Sequence, residues 1–177
     1  MRRRSSKNQM NSQPPLSADE ERKRTFERAV KLLAAKPRSV AELRERLMRS
    51  RRTSKATVDE VIGRLSEYGY LDDERFAFSY ASLKVKQRPV GRRRLKQDLK
   101  LKKVQPGVAE EALDLVYAET SEEDLIDRAI EKRLRIRGRP KTRMEGKALF
   151  DHLLRLGFEY ELVSEKVQAF FRQEEDS

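Results

Sequence analysis

The sequence predicts an all-α protein, with three tandem three-helix modules forming an elongated, curved array. Three observations predict it. Helix-start signatures recur at short intervals along the chain. No run alternates apolar and polar residues with the period of two that a half-buried strand shows. An apolar pattern repeats at a fixed offset: adding 54 to Leu95, Leu99, Val104, Val108 and Leu113 lands on Leu149, Leu153, Phe158, Leu162 and Val167. Subtracting 52 from Leu95 and Leu99 lands on Leu43 and Leu47. Such a period marks a repeat whose units, about 50 residues each, complete their cores against neighbours.

Taken in order, residues 1–16 are polar and basic and are expected to form a disordered tail. Ser17-Ala18-Asp19-Glu20 has the form of a capping box, in which each side chain bonds the other residue's free backbone N–H. It opens a helix over 18–35. Ser39 with Glu42, Thr57 with Glu60, and Thr142 with Glu145 have the same form and predict helices over 40–50, 55–68 and 143–156. Asp72 caps a helix over 73–87, and Pro106 suits the first position of one over 106–118. Helices over 91–102, 122–137 and 160–172 complete nine. Gly69, Gly138 and Gly157 are expected stops, because glycine accepts the left-handed backbone of a helix end. The modules are then 17–71, 72–120 and 121–173, followed by an acidic tail over 174–177.

Composition removes several functions. The 177 residues contain no Cys and one His, so a disulfide framework, a thiolate zinc site and a His-based zinc site are excluded, while a carboxylate magnesium site is not. No apolar run approaches the roughly 20 residues that span a bilayer. Met1-Arg2-Arg3-Arg4 is followed by no apolar stretch, so no secretory signal is expected. These points predict a cytoplasmic protein that binds no membrane. The sequence offers no Gly-rich phosphate loop and no nucleophile–base arrangement. His152, beside Leu149 and Leu153, suits a partly buried structural position, and Asp72-Asp73 suits a helix cap. Neither an enzyme nor a cofactor is expected.

The formal net charge is +11, from 41 Lys and Arg against 30 Asp and Glu, which predicts a polyanionic partner. The charge alternates in blocks. Residues 84–103 carry ten bases and one acid, 104–127 eight acids and no base, and 128–147 nine bases and two acids. Arg92, Arg93, Arg94 and Lys96 crowd a helix start, where the macrodipole disfavours cations. Helix stability does not call for them there, whereas a phosphate backbone or an acidic protein groove would. The expected binding residues are Lys84, Lys86, Arg88, Arg92, Arg93, Arg94 and Lys96 in one block, and Arg133, Arg135, Arg137, Arg139 and Lys141 in the other. Aromatic residues are scarce in both blocks, which favours contact by charge over base stacking. The short turn in each helix pair leaves a freestanding DNA- or RNA-binding protein of helix-turn-helix type as the alternative.

Gly69-Tyr70-Leu71-Asp72-Asp73-Glu74-Arg75-Phe76-Ala77 resembles the signature of the RecX regulatory family. Leu32-Leu33-Ala34-Ala35-Lys36-Pro37-Arg38-Ser39-Val40-Ala41-Glu42-Leu43 resembles that family's first-module opening, Gly91-Arg92-Arg93-Arg94-Leu95-Lys96-Gln97-Asp98-Leu99 its second module, and Leu153-Leu154-Arg155-Leu156-Gly157-Phe158 its third. The chain departs from the pattern at Arg49-Ser50-Arg51-Arg52, where the family often has Gly. It departs again at Lys103-Val104, which lack the Gly of Lys-Gly-Ile, and at Leu156, where Arg often precedes Gly-Phe. The resemblance implies a modulator of the RecA recombinase in DNA recombination, repair and the SOS response. Such a modulator lies in the groove of the RecA–DNA filament and limits filament growth, strand exchange and co-protease activity. The expected partners are the RecA filament and single- or double-stranded DNA, reached through the filament or directly. The protein is expected to be a monomer.

Overall fold

The computed structural model describes residues 17–175, with side chains as far as Ala169. Nine α-helices and no strand are found among the described residues. They are α1 (Ala18–Ala35), α2 (Val40–Met48), α3 (Lys55–Glu67), α4 (Asp73–Gln87), α5 (Arg92–Leu101), α6 (Pro106–Glu119), α7 (Glu122–Arg137), α8 (Arg143–Leu156) and α9 (Tyr160–Glu175). Helices pack mainly in threes: α1 with α2 and α3, α4 and α5 with α6, and α7, α8 and α9 with one another.

The caps explain the boundaries. Ser17 and Thr142 form full capping boxes with Glu20 and Glu145. Ser39 and Asp72 cap α2 and α4 through Glu42 N and Arg75 N. Thr57 does not start α3. Ser54 caps it, accepting from Thr57 N at 3.1 Å, and Thr57 is buried one turn inside. A second expectation also fails at the other end. Helix α9 continues through Glu175, so Glu174 and Glu175 belong to a helix and not to a tail, while Asp176 and Ser177 lie outside the described residues. The tail expected over 1–16 lies outside them too.

The offset of 54 is a packing equivalence. Leu95 and Leu149, Leu99 and Leu153, Val104 and Phe158, and Leu113 and Val167 are all buried, as are Leu43 and Leu47. Each fully buried Leu contributes about 1.5–3 kcal/mol relative to exposure. The apolar interior is not divided in three, however. Ala29, Leu43, Leu47, Val58, Val61, Ile62, Leu65 and Leu71 form one core. The buried residues from Ala77 to Val167 form a second, continuous core that runs through α4–α9.

One joint is used twice to link the triplets. The start of α2 meets the end of α5, where Ser39 Oγ donates to Lys102 O. The start of α5 meets the end of α8: Gly91 N donates to Leu156 O at 3.0 Å, and Arg93 N to Gly157 O at 3.1 Å. The middle helices thus touch end to end, the positive end of one dipole on the negative end of the next. A carboxylate from the following triplet completes each joint. Val40 N donates to Asp73 Oδ1 at 2.8 Å, and Arg92 N to Glu122 Oε1 at 2.9 Å. Asp73 and Glu122 each stand first in their helix.

Candidate nucleic-acid interface

The first basic block spans the end of α4, the turn after it, and α5. Leu95 and Leu99 anchor α5 in the core, which leaves its charged residues at the surface. The structure then separates the expected binding residues into paired and unpaired groups. Arg92 turns toward α6, where its Nη2 lies 3.0 Å from Glu110 Oε2 and 2.6 Å from Asp114 Oδ1, with its side chain 28% exposed. Lys96 pairs with the same Glu110, and Arg94 Nε lies 3.3 Å from Asp98. Hydrogen bonds from Lys96 and Arg92 hold the Glu110 carboxyl below the usual range. Much of the charge at the start of α5 is therefore balanced by the acidic block that follows it in sequence. The macrodipole argument that singled this cluster out is met in part by Glu122, whose carboxylate caps Arg92 N in a helix whose first turn holds no acid.

Lys86, Arg88 and Arg93 are exposed and form no ion pair among the described residues. Lys84 sits over the Tyr80 ring, 5.4 Å from its centroid. These residues gather at the α4–α5 turn. The equivalent α7–α8 turn carries the second block. Arg135, Arg137, Arg139 and Lys141 are exposed, and Arg133 is half-buried. The backbone there is pinned: Lys141 N and Thr142 N both donate to Glu145 Oε2, at 2.6 and 3.1 Å. Two connections at corresponding places in the second and third triplets thus present cations.

No group of three or more His, Cys, Asp or Glu able to hold a metal ion is found among the described residues. His152 is half-buried, and burial, helped by Arg133 and Arg155, lowers its pKa. Tyr117 donates to Val90 O at 2.9 Å, and burial raises its pKa. Both have structural surroundings. Among the described residues no helix is long and apolar enough to cross a membrane.

Charge counting missed the acids that decide which cations stay free. Glu110 and Asp114 lie 18 and 22 residues beyond Arg92. Both belong to the acidic block 104–127, whose position directly after the basic block was the sequence signal that the charges would pair.

Comparison with known proteins bears on this architecture. Residues 26–65 match the RecX first three-helix domain, and residues 72–113 match the second. The chain belongs to the RecX family. Regulatory protein RecX of Treponema pallidum subsp. pallidum is 41% identical over 110 residues, which is 62% of this chain and 66% of that one. RecX of Chlorobium phaeobacteroides is 28% identical over 156 residues, covering 88% of this chain and 99% of the relative. The Bacillus subtilis RecX match spans 60% of that longer relative, at 29% identity. The crystal structure of RecX from Lactobacillus salivarius superposes with a TM-score of 0.75 at 22% identity, over 86% of this chain and 97% of that one, so the fold is shared.

Proposed function

We propose that this protein regulates the RecA recombinase, binding along the RecA–DNA filament and limiting its growth or stability, and with it strand exchange and co-protease activity. The observation that carries the reading is the pair of cation-bearing turns, α4–α5 and α7–α8, at corresponding places in the second and third triplets, the first held by the joint to α8 and the second by Glu145. A filament is itself a repeat of protomers and phosphates, and cations spaced along a stiff body can address successive units of it. The triplets 17–71, 72–120 and 121–173 act as linked binding modules, so each later contact is effectively intramolecular. Inhibition needs only a preference for one filament state over another, because a ligand shifts an equilibrium by its differential affinity. Regulation by binding requires no catalytic group or cofactor, and the setting is the cytoplasm, with the protein acting as a monomer.

The test is DNA-dependent ATP hydrolysis by RecA, titrated with this protein. Inhibition at levels far below those that coat the DNA is expected. Inhibition only at DNA-saturating levels would indicate simple competition for DNA by a freestanding DNA-binding protein.

A further inference from the structure

Apart from the basic turns, a long concavity of about 1360 Å³ lies between the first and second triplets. One wall is α1, through Phe26, Val30 and Leu33, and the other is α4, through Phe76, Tyr80 and Leu83. Both walls follow the three-and-four spacing of a helix stripe, the geometry into which an amphipathic helix fits. The floor includes Leu65, and Tyr68 and Tyr70 close one side in an edge-to-face pair with centroids 6.5 Å apart. Several of these side chains face solvent: Leu83 is 55% exposed, Tyr70 65% and Val30 43%. Leu65 belongs to the first core, with Phe26 and Leu33 packed on it, and Phe76 and Tyr80 pack on the second, while Val30, Leu83, Tyr68 and Tyr70 stand outside both.

Charge indicates what fits there. Lys36, Arg38 and Lys102 line the concavity, and all three converge on one carboxylate, that of Glu42. Arg38 Nη1 lies 2.5 Å from Glu42 Oε1, Lys36 Nζ and Arg46 Nε lie 3.8 Å from the same oxygen, and Lys102 Nζ lies 3.8 Å from Oε2. The three of these cations that line the groove, Lys36, Arg38 and Lys102, share a single carboxylate, which leaves its edge net positive. Asp72 is the one acid lining the groove among the described residues, and its carboxylate is engaged at the start of α4. Residues 1–16 of this chain suit the groove poorly, since they carry Arg2, Arg3, Arg4 and Lys7 and no acid. Five rings, Phe26, Tyr68, Tyr70, Phe76 and Tyr80, line the groove, but they alternate with aliphatic Val30, Leu33, Ala34, Leu65 and Leu83 at helix spacing, an arrangement that matches an apolar helix stripe more closely than the ring-on-base contacts of a single strand.

We infer that the α1–α4 groove docks an acidic amphipathic helix of a partner protein. Its apolar stripe lies between α1 and α4, and its carboxylates meet Lys36 and Lys102. This interaction lies beyond the filament reading and is measured without recombinase or DNA.

The probe is a fluorescein-labelled 16-residue helical peptide with Leu at every third or fourth position and Glu and Ala elsewhere, titrated with the full chain and followed by anisotropy. A control peptide has Lys in place of Glu. Saturable binding of the Glu peptide is expected, at least tenfold tighter than the Lys peptide and weakened by salt. Leu83→Glu and Lys36→Glu, both at exposed positions, should each weaken it at least tenfold while the helical circular dichroism stays unchanged. Should Leu83→Glu unfold the chain, Tyr70→Ala provides the same test. Three results would overturn the proposal: no binding of the Glu peptide, equal binding of the two peptides, or unchanged affinity in the variants. Displacement of the peptide by an oligo-dT strand whose own binding falls with Leu83→Glu would assign the groove to nucleic acid. Self-association of the chain that Leu83→Glu abolishes would assign it to a second copy. Either result would also overturn the proposal.

Discussion

Gly91 and Gly157 meet backbone to backbone. The N–H of Gly91 donates to the carbonyl of Leu156, a Cβ on Gly91 would collide with the Gly157–Phe158 peptide, and a Cβ on Gly157 would collide with Arg94. Gly157 also has φ 92°, which disfavours any side chain, whereas Gly91 has φ −83° and is glycine for space alone. The joint between the second and third triplets is therefore sterically closed.

Gly91→Ala should destabilise the protein by about 1–3 kcal/mol, the usual range for overpacking a closed site. Gly107→Ala, where nothing lies within 4 Å of the added carbon, is the control and should cost no such amount. Urea denaturation monitored by circular dichroism measures both.

The joint carboxylates should tolerate loss of charge but not loss of the acceptor. Burial is the largest influence on Asp73 and on Glu122, and it raises both pKa values despite the opposing bonds from Val40 N and Arg92 N. Folding therefore disfavours their ionised forms, and their contribution to stability grows as pH falls through the carboxylate range. Asp73→Asn and Glu122→Gln keep an oxygen for the N–H and should match or exceed the parent at pH 7. That advantage should shrink as the parent's own carboxyls take up protons in acid. Glu122→Ala should cost about 0.5–2 kcal/mol, as loss of a helix cap does. Stability measured against pH for the three variants checks the sign.

Lys103 is the one non-glycine residue with positive φ among the described residues, at 61°. It stands before Val104 as Gly157 stands before Phe158. Its Nζ lies 2.6 Å from Glu45, but both side chains are about half exposed, and such pairs contribute at most about 1 kcal/mol. A left-handed conformation costs a non-glycine residue about 1–2 kcal/mol. Lys103→Gly should therefore leave the melting temperature unchanged or raise it by a few degrees in a thermal scan, and a clear fall would show that the Glu45 pair outweighs the backbone term.

The cations should separate by role. Arg92→Ala removes both ion pairs to α6 and should cost about 1 kcal/mol of stability. Lys86→Ala, Arg88→Ala and Arg93→Ala combined should change stability by no more than about 0.5 kcal/mol. The triple variant should bind DNA more weakly and with a shallower salt dependence, by roughly 0.7 in log–log slope for each phosphate it no longer neutralises on a single strand. Affinity titrations at several salt concentrations, alongside denaturation, distinguish the two behaviours.

The helices were legible because local chemistry sets them. Ser17, Asp72, Pro106 and Thr142 act within one turn of their own position, and each begins the helix its neighbours predict. Thr57 misled because Ser54, three residues earlier, offers the same hydroxyl chemistry, and burial of Val58, Val61 and Leu65 sets the register of α3. The buried repeat positions were legible because periodicity reports which face is apolar. The state of the basic surface was not. Whether Arg92 is free depends on Glu110, Asp114 and Glu122, which only the α5–α6 packing and the next triplet bring near. The cations around Glu42 likewise come from α2, the turn before it and the end of α5.

The unequal division of the apolar interior has a mechanical consequence. With α4–α9 sharing one core, the second and third triplets resist bending and unfold together, while α1–α3 have a core of their own and are joined to the rest largely through polar contacts at Ser39, Val40 and Lys103. The architecture is that of a six-helix body sharing one core, with a three-helix arm that has its own. A strain applied between the two ends of the molecule is therefore taken up first at that joint and not within the α4–α9 core.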